Sequence, residues 1–320
     1  NMNDLYLNFF PSSQLFNNEE EFYLSGVSNK KVLTCYELDE FKIILNDRYG
    51  FNNKDEVWDK KIKKNIFVGD SFVQGHCVKN EYNLLSSFFK NNKSSGGNST
   101  INLGKGGAGP LISLATLIEY LPDDTENIFY VFNEQNDLDD ILNESNNEIL
   151  MRYLNDRNFK QNLKVKQNLI DETILKDQKK VNIKKKLYEK KMSYINILYF
   201  TNLKRIVIDD LIKINYNFKL LEKFLKELTY LVEIKKIKNV YFVYLPSQKR
   251  IVEKNYFFKR KYKKVLNLLD NYNFKLIDLS NYLLKLSEDN NPWTSTYGHF
   301  DKKSYSLISS EIYKQFNSLD

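Results

Sequence analysis

Histidine is nearly absent from this chain. His76 and His299, two among 320 residues, are all that a mechanism needing an imidazole base can draw on. Cysteine is as scarce. Cys35 and Cys77 make neither a disulfide framework nor a zinc site, and the expectation is two unpaired thiols. Proline (5) and glycine (11) are sparse while apolar residues make up 42%, which excludes a fibrous or disordered chain and supplies a sizeable core. No apolar run approaches the roughly 18–20 residues that span a bilayer. The polar start Asn1-Met2-Asn3-Asp4 leads into no leader-like apolar run. The sequence leaves the compartment open: cytoplasmic, or membrane-associated if an anchor has been removed upstream.

Charge is present but local. Eleven lysines stand against four acids between Lys160 and Lys191, an excess equal to the +7 of the whole chain. The remainder is neutral, so the composition describes a neutral domain with a basic insertion rather than a nucleic-acid protein. A charge run of this kind is a solvated face or an attraction site for an anionic partner.

Five short apolar segments bounded by polar breakers read as buried strands: Asn65–Val68, Thr100–Leu103, Asn127–Phe132, Asn239–Leu245 and Phe274–Leu279. Helical patterns lie between them at Tyr82–Lys90 and Pro110–Tyr120, the latter with proline in its first turn. A closing helix is expected over Lys302–Phe316. Alternation of this kind predicts an α/β fold, flavodoxin-like, with a five-stranded mostly parallel sheet between two helical layers. Residues 141–238 hold no proline, no glycine and no strand pattern, and read as a long helical insertion in which Leu163, Ile170, Ile174, Val181 and Leu187 recur at helical intervals. Residues 1–63 read as a polar, turn-rich lead-in that wraps the sheet edge.

Chemistry concentrates at the ends of the first three strands. Ser71, in Gly69-Asp70-Ser71-Phe72-Val73-Gln74-Gly75, follows an apolar strand and opens a helix, where backbone N–H groups face an incoming negative charge. The second strand runs into Asn102-Leu103-Gly104-Lys105-Gly106-Gly107-Ala108-Gly109-Pro110, a loop whose glycines let backbone donors approach a ligand. The third ends in Asn133-Glu134-Gln135-Asn136-Asp137, offering the Asn136 amide as a donor. Tyr297-Gly298-His299-Phe300 precedes the last helix and brings an imidazole to the same edge. A hydroxyl, a base and oxyanion donors are the requirements of acyl transfer at serine. His76 reads as structural or substrate-facing, because it lies in a segment leading away from the sheet edge. Asp70 reads as an acceptor that fixes the serine loop. Asp137 and Asp140 read as helix-capping groups, so no metal and no cofactor is expected.

This ordered set resembles the SGNH hydrolases, also called the GDSL esterase/lipase family. Gly69-Asp70-Ser71-Phe72 with Gly75 is similar to the family's first block, Asn102-Leu103-Gly104 with Gly107 and Gly109 to its glycine block, Asn136-Asp137 to its Gly-x-Asn-Asp block, and Gly298-His299 with Tyr305 and Ile308 to its histidine block. The glycine position of the third block holds Glu134. The resemblance implies a Ser71 nucleophile, a His299 base, and an oxyanion hole from Ser71 N–H, Gly107 N–H and the Asn136 side chain. It also implies an orienting aspartate three residues before the histidine, where this chain has Thr296. Glu288 and Asp289 are the nearest acids preceding that position in sequence; the other possibility is a Ser–His pair without one.

The resemblance therefore implies an ester hydrolase or O-acetyltransferase acting on a carbohydrate or cell-surface glycan. A non-catalytic protein of the same fold, binding through the basic insertion, is the alternative from a different class. No specific nucleic-acid partner is expected.

Overall fold

A computed structural model describes residues 5–7, 21–37, 40–91, 99–176, 208–293 and 298–319. At its centre is a sheet of five strands, β4 (Lys64–Val68), β5 (Ser99–Asn102), β6 (Thr125–Asn133), β7 (Asn239–Leu245) and β8 (Lys275–Asp278). Their order is β5-β4-β6-β7-β8, and every pairing is parallel. Parallel neighbours need crossovers, and these cover both faces with helices, as the alternating sequence pattern predicts.

Strand periodicity decides which side chain serves which layer. Ile66, Val68, Ile101, Ile128, Tyr130, Phe132, Phe242 and Tyr244 fill one face. Phe67, Phe129, Val131, Tyr241, Val243 and Ile277 fill the other. The first face is covered by α3 (Pro110–Tyr120), α5 (Glu148–Asn155), α6 (residues 167–176), α7 (Ile208–Lys235) and α9 (Tyr256–Leu269). The second takes α1 (Ser71–Gln74), α2 (Ser86–Asn91), α8 (Gln248–Ile251), α10 (Ser280–Asp289) and α11 (Lys302–Leu319). On this second face Phe67, Phe129 and Tyr241 stack across three strands, with centroids 4.3 Å and 4.6 Å apart.

The long segment between β6 and β7 holds no strand among its described residues; it begins with α4 (Asp137–Glu144), and turns over residues 156–166 separate α5 from α6. It completes a layer of the fold: Leu163, Ile170, Ile174, Leu221, Phe224 and Leu228 are fully buried in the same core as the sheet. Val181 and Leu187, and most of the lysine-rich run, lie outside the described residues.

The lead-in carries a second sheet that alternation did not reveal, β1 (Leu5–Leu7), β2 (Lys31–Glu37) and β3 (Glu40–Leu45) in that order. Its turn is built around Asp47, a buried carboxylate that accepts from Tyr49 N, Phe51 N, Asn53 Nδ2 and Trp58 Nε1. Asn53 then exchanges two hydrogen bonds with the backbone of Asn102, sealing edge strand β5. A short 3-10 helix, Asp55–Trp58, follows.

Cys77 is disulfide-bonded and no described cysteine is a free thiol, which corrects the expectation of two unpaired thiols. Two isolated cysteines carry no spacing signal; pairing is set by Cα separation in the fold. Among the described residues no helix is long and apolar enough to cross a membrane.

Candidate active site

The site forms where the carboxyl ends of β4, β5 and β6 meet the loop before α11. Strand β4 is central to the three, so the serine turn at its end lies between the glycine loop after β5 and the turn after β6.

Gly69 turns the chain at φ +152, and a Cβ there would meet Val131 O and Val73 Cγ2, each at 2.9 Å. Asp70 then caps α1: one carboxylate oxygen accepts from Phe72 N at 2.9 Å, the other from Asn133 Nδ2 at 2.9 Å. Burial raises the Asp70 carboxyl, while its hydrogen bonds and the His299 charge draw it back down. Ser71 is thereby held at the first helical position, half-buried, with no acceptor for its N–H among the described residues.

Ser71 Oγ lies 2.8 Å from His299 Nε2. His299 is held on its flanks by rings, with Phe72 at 5.0 Å and His76 at 4.8 Å between centroids. The next residue, Phe300, is buried against Phe72, Trp293 and Tyr305, which anchors the loop. Asp301 accepts from Ser304 N at 2.7 Å and opens α11.

His76 does not lead away from the edge, as its sequence position suggested. Gly75 ends α1 in a left-handed conformation, φ +80, and His76 N bonds back to Ser71 O at 3.0 Å. The reversal sets His76 beside His299. Burial, with the His299 charge second, lowers the His76 pKa to about 4, so its ring is neutral around pH 7.

In the glycine loop the backbone donors can be accounted for one by one. Gly104 N donates to Asn102 Oδ1, Lys105 N to Gly69 O, Gly106 N to Gln74 Oε1, Ala108 N to Lys105 O and Gly109 N to Glu144 Oε1. Gly107 N–H alone has no acceptor among the described residues, and Gly107 is the one residue of the loop that is not buried. It sits at φ +73, which a glycine adopts freely. Lys105 points the other way, buried with its Nζ on Gly50 O at 3.1 Å, and burial lowers its pKa to about 7.

Asn136 caps the turn into α4. Its Nδ2 donates to Asp140 Oδ2 at 2.6 Å and its amide also bonds the Asp70 carboxyl. Here the amide donates to carboxyl groups, and its Oδ1 is buried with no partner among the described residues. Asp137, also buried, accepts from Tyr130 Oη and Asn133 N. Desolvation, with Asp70 as neighbour, pushes Asp137 well up and Asp140 to about 7. Glu144 takes the role a side-chain cap would have at α3, accepting from Gly109 N (2.6 Å) and Leu111 N (2.8 Å), and burial pushes it up to about 8. Glu134, at the departed glycine position, is buried and accepts from Ser247 N and Arg250 Nε, tying the end of β6 to the segment after β7.

Glu288 and Asp289 are exposed at the end of α10, with no hydrogen bond to His299. Thr296 lies outside the described residues. Among those described, no group of three or more His, Cys, Asp or Glu side chains has a metal-holding arrangement. Asn133 and Glu144 are the supporting residues that sequence reasoning missed; His76 was singled out but placed away from the edge. Only the β6 terminus at Asn133 and the helical spacing of Glu144 from Asp140 hinted at them.

No family model matches this chain, and no curated protein matches it. Solved structures with a similar course include a lipolytic protein of the G-D-S-L family from Veillonella parvula DSM 2008, 13% identical, covering 80% of this chain and 100% of that one at a TM-score of 0.44. A catalytic mutant of an acetylxylan esterase from Geobacillus stearothermophilus is 10% identical, with 79% and 93% covered and a TM-score of 0.42. The psychrotrophic esterase EstA from Pseudoalteromonas sp. is 10% identical, with 80% and 97% covered, also at 0.42. At such identities and TM-scores the chemistry has to be read from the site itself.

Proposed function

We propose that this chain is a serine-dependent acyl ester hydrolase or acyltransferase of the SGNH type. The observation that carries the reading is the 2.8 Å contact between Ser71 Oγ and His299 Nε2, a nucleophile within hydrogen-bond reach of a base.

Ser71 Oγ attacks the ester carbonyl as His299 Nε2 takes its proton. The tetrahedral oxyanion is met by the N–H groups of Ser71 and Gly107, both without an acceptor among the described residues. Collapse expels the alcohol, protonated by His299, and leaves an acyl-Ser71 ester. Water, activated by His299, completes hydrolysis; a second hydroxyl in its place completes transfer. Asn136 joins as a third donor only by turning from Asp140. Phe72 and His76 keep the His299 ring in place from its flanks. The resemblance of the sequence motifs supports a carbohydrate O-acetyl ester as the substrate.

The test is mass-spectrometric tracking of acetyl groups with an acetylated oligosaccharide and an unacetylated acceptor. Free acetate marks a hydrolase and acetylated acceptor a transferase. Acetyl groups that stay in place while a small acetyl ester is cleaved would refute the carbohydrate assignment.

A further inference from the structure

Outside the catalytic edge, the chain encloses a cavity of about 700 Å³ against the outer side of edge strand β5. Its walls are the 3-10 segment, the loop between α1 and α2, α2 itself, and the start of β5. Lys54 and Lys60 come from the first wall, Lys79 from the second and Lys90 from the third; Glu56 and Glu81 are the only acids. Among the described residues none of these six side chains forms an ion pair. Four lysines against two acids around one concavity make an anion-attracting site.

Its chemistry narrows the ligand. The lysines come from three separate elements, which suits an extended molecule with anionic groups at intervals. Phe89 gives the wall an apolar face, Asn80 an amide, and Ser86 a buried hydroxyl with no partner among the described residues. Glu56 and Glu81 accept hydroxyl protons and repel a densely charged polyanion. The volume falls within the roughly 300–1,000 Å³ of small-molecule pockets. We propose that this cavity is a binding site for a short acidic oligosaccharide, carboxylates on the lysines and a sugar face on Phe89. It is separate from the Ser71–His299 site and does not depend on the reaction assigned there.

Calorimetric titration with trigalacturonate, with its carboxyl-reduced neutral counterpart, and with inorganic phosphate tests this. The proteins are wild type, Lys79→Glu/Lys90→Glu, and Lys259→Glu/Lys263→Glu, the last pair on α9, away from the cavity. The expected result is trigalacturonate binding weakened by about tenfold or more in the cavity variant only, with the neutral trisaccharide binding at least as weakly. Small-ester hydrolysis and circular dichroism stay at wild-type values in both variants, which reports an intact fold. The proposal is overturned by no binding of trigalacturonate to the wild type, by equal loss in the two variants, by equal affinity for the neutral sugar, or by binding of phosphate alone.

Discussion

Removing the Glu144 carboxyl should damage stability and activity together, because one side chain holds both a helix and the loop that presents Gly107. Glu144 accepts Gly109 N at 2.6 Å and Leu111 N at 2.8 Å, with Ile112 N at 3.4 Å. No other side chain caps α3. Glu144→Ala leaves two well-bonded N–H groups buried without an acceptor. At about 1–3 kcal/mol for each unsatisfied donor, the loss is about 2–6 kcal/mol. Glu144→Gln keeps one acceptor oxygen and should cost about half as much. Urea unfolding reads this as a lower midpoint at unchanged slope. Release of the loop also loosens Gly107, and losing one oxyanion donor outright costs about 10²–10³ in kcat. The Ala variant should therefore fall towards that range on a small acetyl ester, with KM little changed. A midpoint within error of wild type, or full kcat in a destabilised variant, would refute the link between cap and oxyanion loop.

Stability should also fall as pH rises from about 4 to about 7. The raised Asp140 (about 7) and Glu144 (about 8) carboxyls hold protons in the native state that the unfolded chain has released, so this contribution is complete below pH 4 and lost through the folded values. His76, lowered to about 4, offsets part of this fall up to the ordinary imidazole value, and above pH 7 the lowered Lys105 opposes it, since in each range the unfolded chain binds the extra proton. Urea midpoints measured at each pH check both signs, and a midpoint rising from pH 5 to 7 contradicts the first. Asp70→Ala should cost about 2–6 kcal/mol by stranding Phe72 N–H and the Asn133 amide, and should lower kcat further than stability alone explains; full kcat would contradict its role in placing Ser71. Phe129→Ala, at the centre of the stacked ring ladder, should cost about 3–5 kcal/mol in urea unfolding while leaving kcat near wild type below the transition.

Much of the fold was legible because strand burial writes itself as apolar runs. Asn239–Leu245 and the helix from Pro110 to Tyr120 were placed to the residue, and the other central strands shifted by no more than two residues at an end. Strands buried on both faces carry no polar alternation, so their interiors stand out. The sheet of β1, β2 and β3 stayed hidden because the lead-in is polar and its architecture depends on one buried carboxylate, Asp47. Residues 82–85 read as helix but form turns before α2, since burial of Leu84 and Leu85 gives the same spacing in either conformation.

At the site, Ser71, Gly107 and His299 announced themselves through neighbouring glycines and strand ends. Asp70 was legible too, as the acceptor that fixes the serine turn, but the placement of His76 and the roles of Asn133 and Glu144 were not. His76 depends on a left-handed Gly75 that folds the chain back, a tertiary consequence of one dihedral. Asn133 and Glu144 act across tens of residues on groups distant in sequence, and no local pattern marks such a partner. The disulfide at Cys77 was invisible for the same reason.

The central claim is that Ser71 is a nucleophile activated by His299. Its most direct test treats wild type, Ser71→Ala and His299→Ala with a serine-directed fluorophosphonate, followed by peptide mapping and by hydrolysis of a small acetyl ester. The account predicts label on Ser71 in the wild type, none in Ser71→Ala, and labelling and hydrolysis slowed by about 10²–10⁴-fold in His299→Ala. An unlabelled, inert wild type, or hydrolysis that survives in Ser71→Ala, would contradict it.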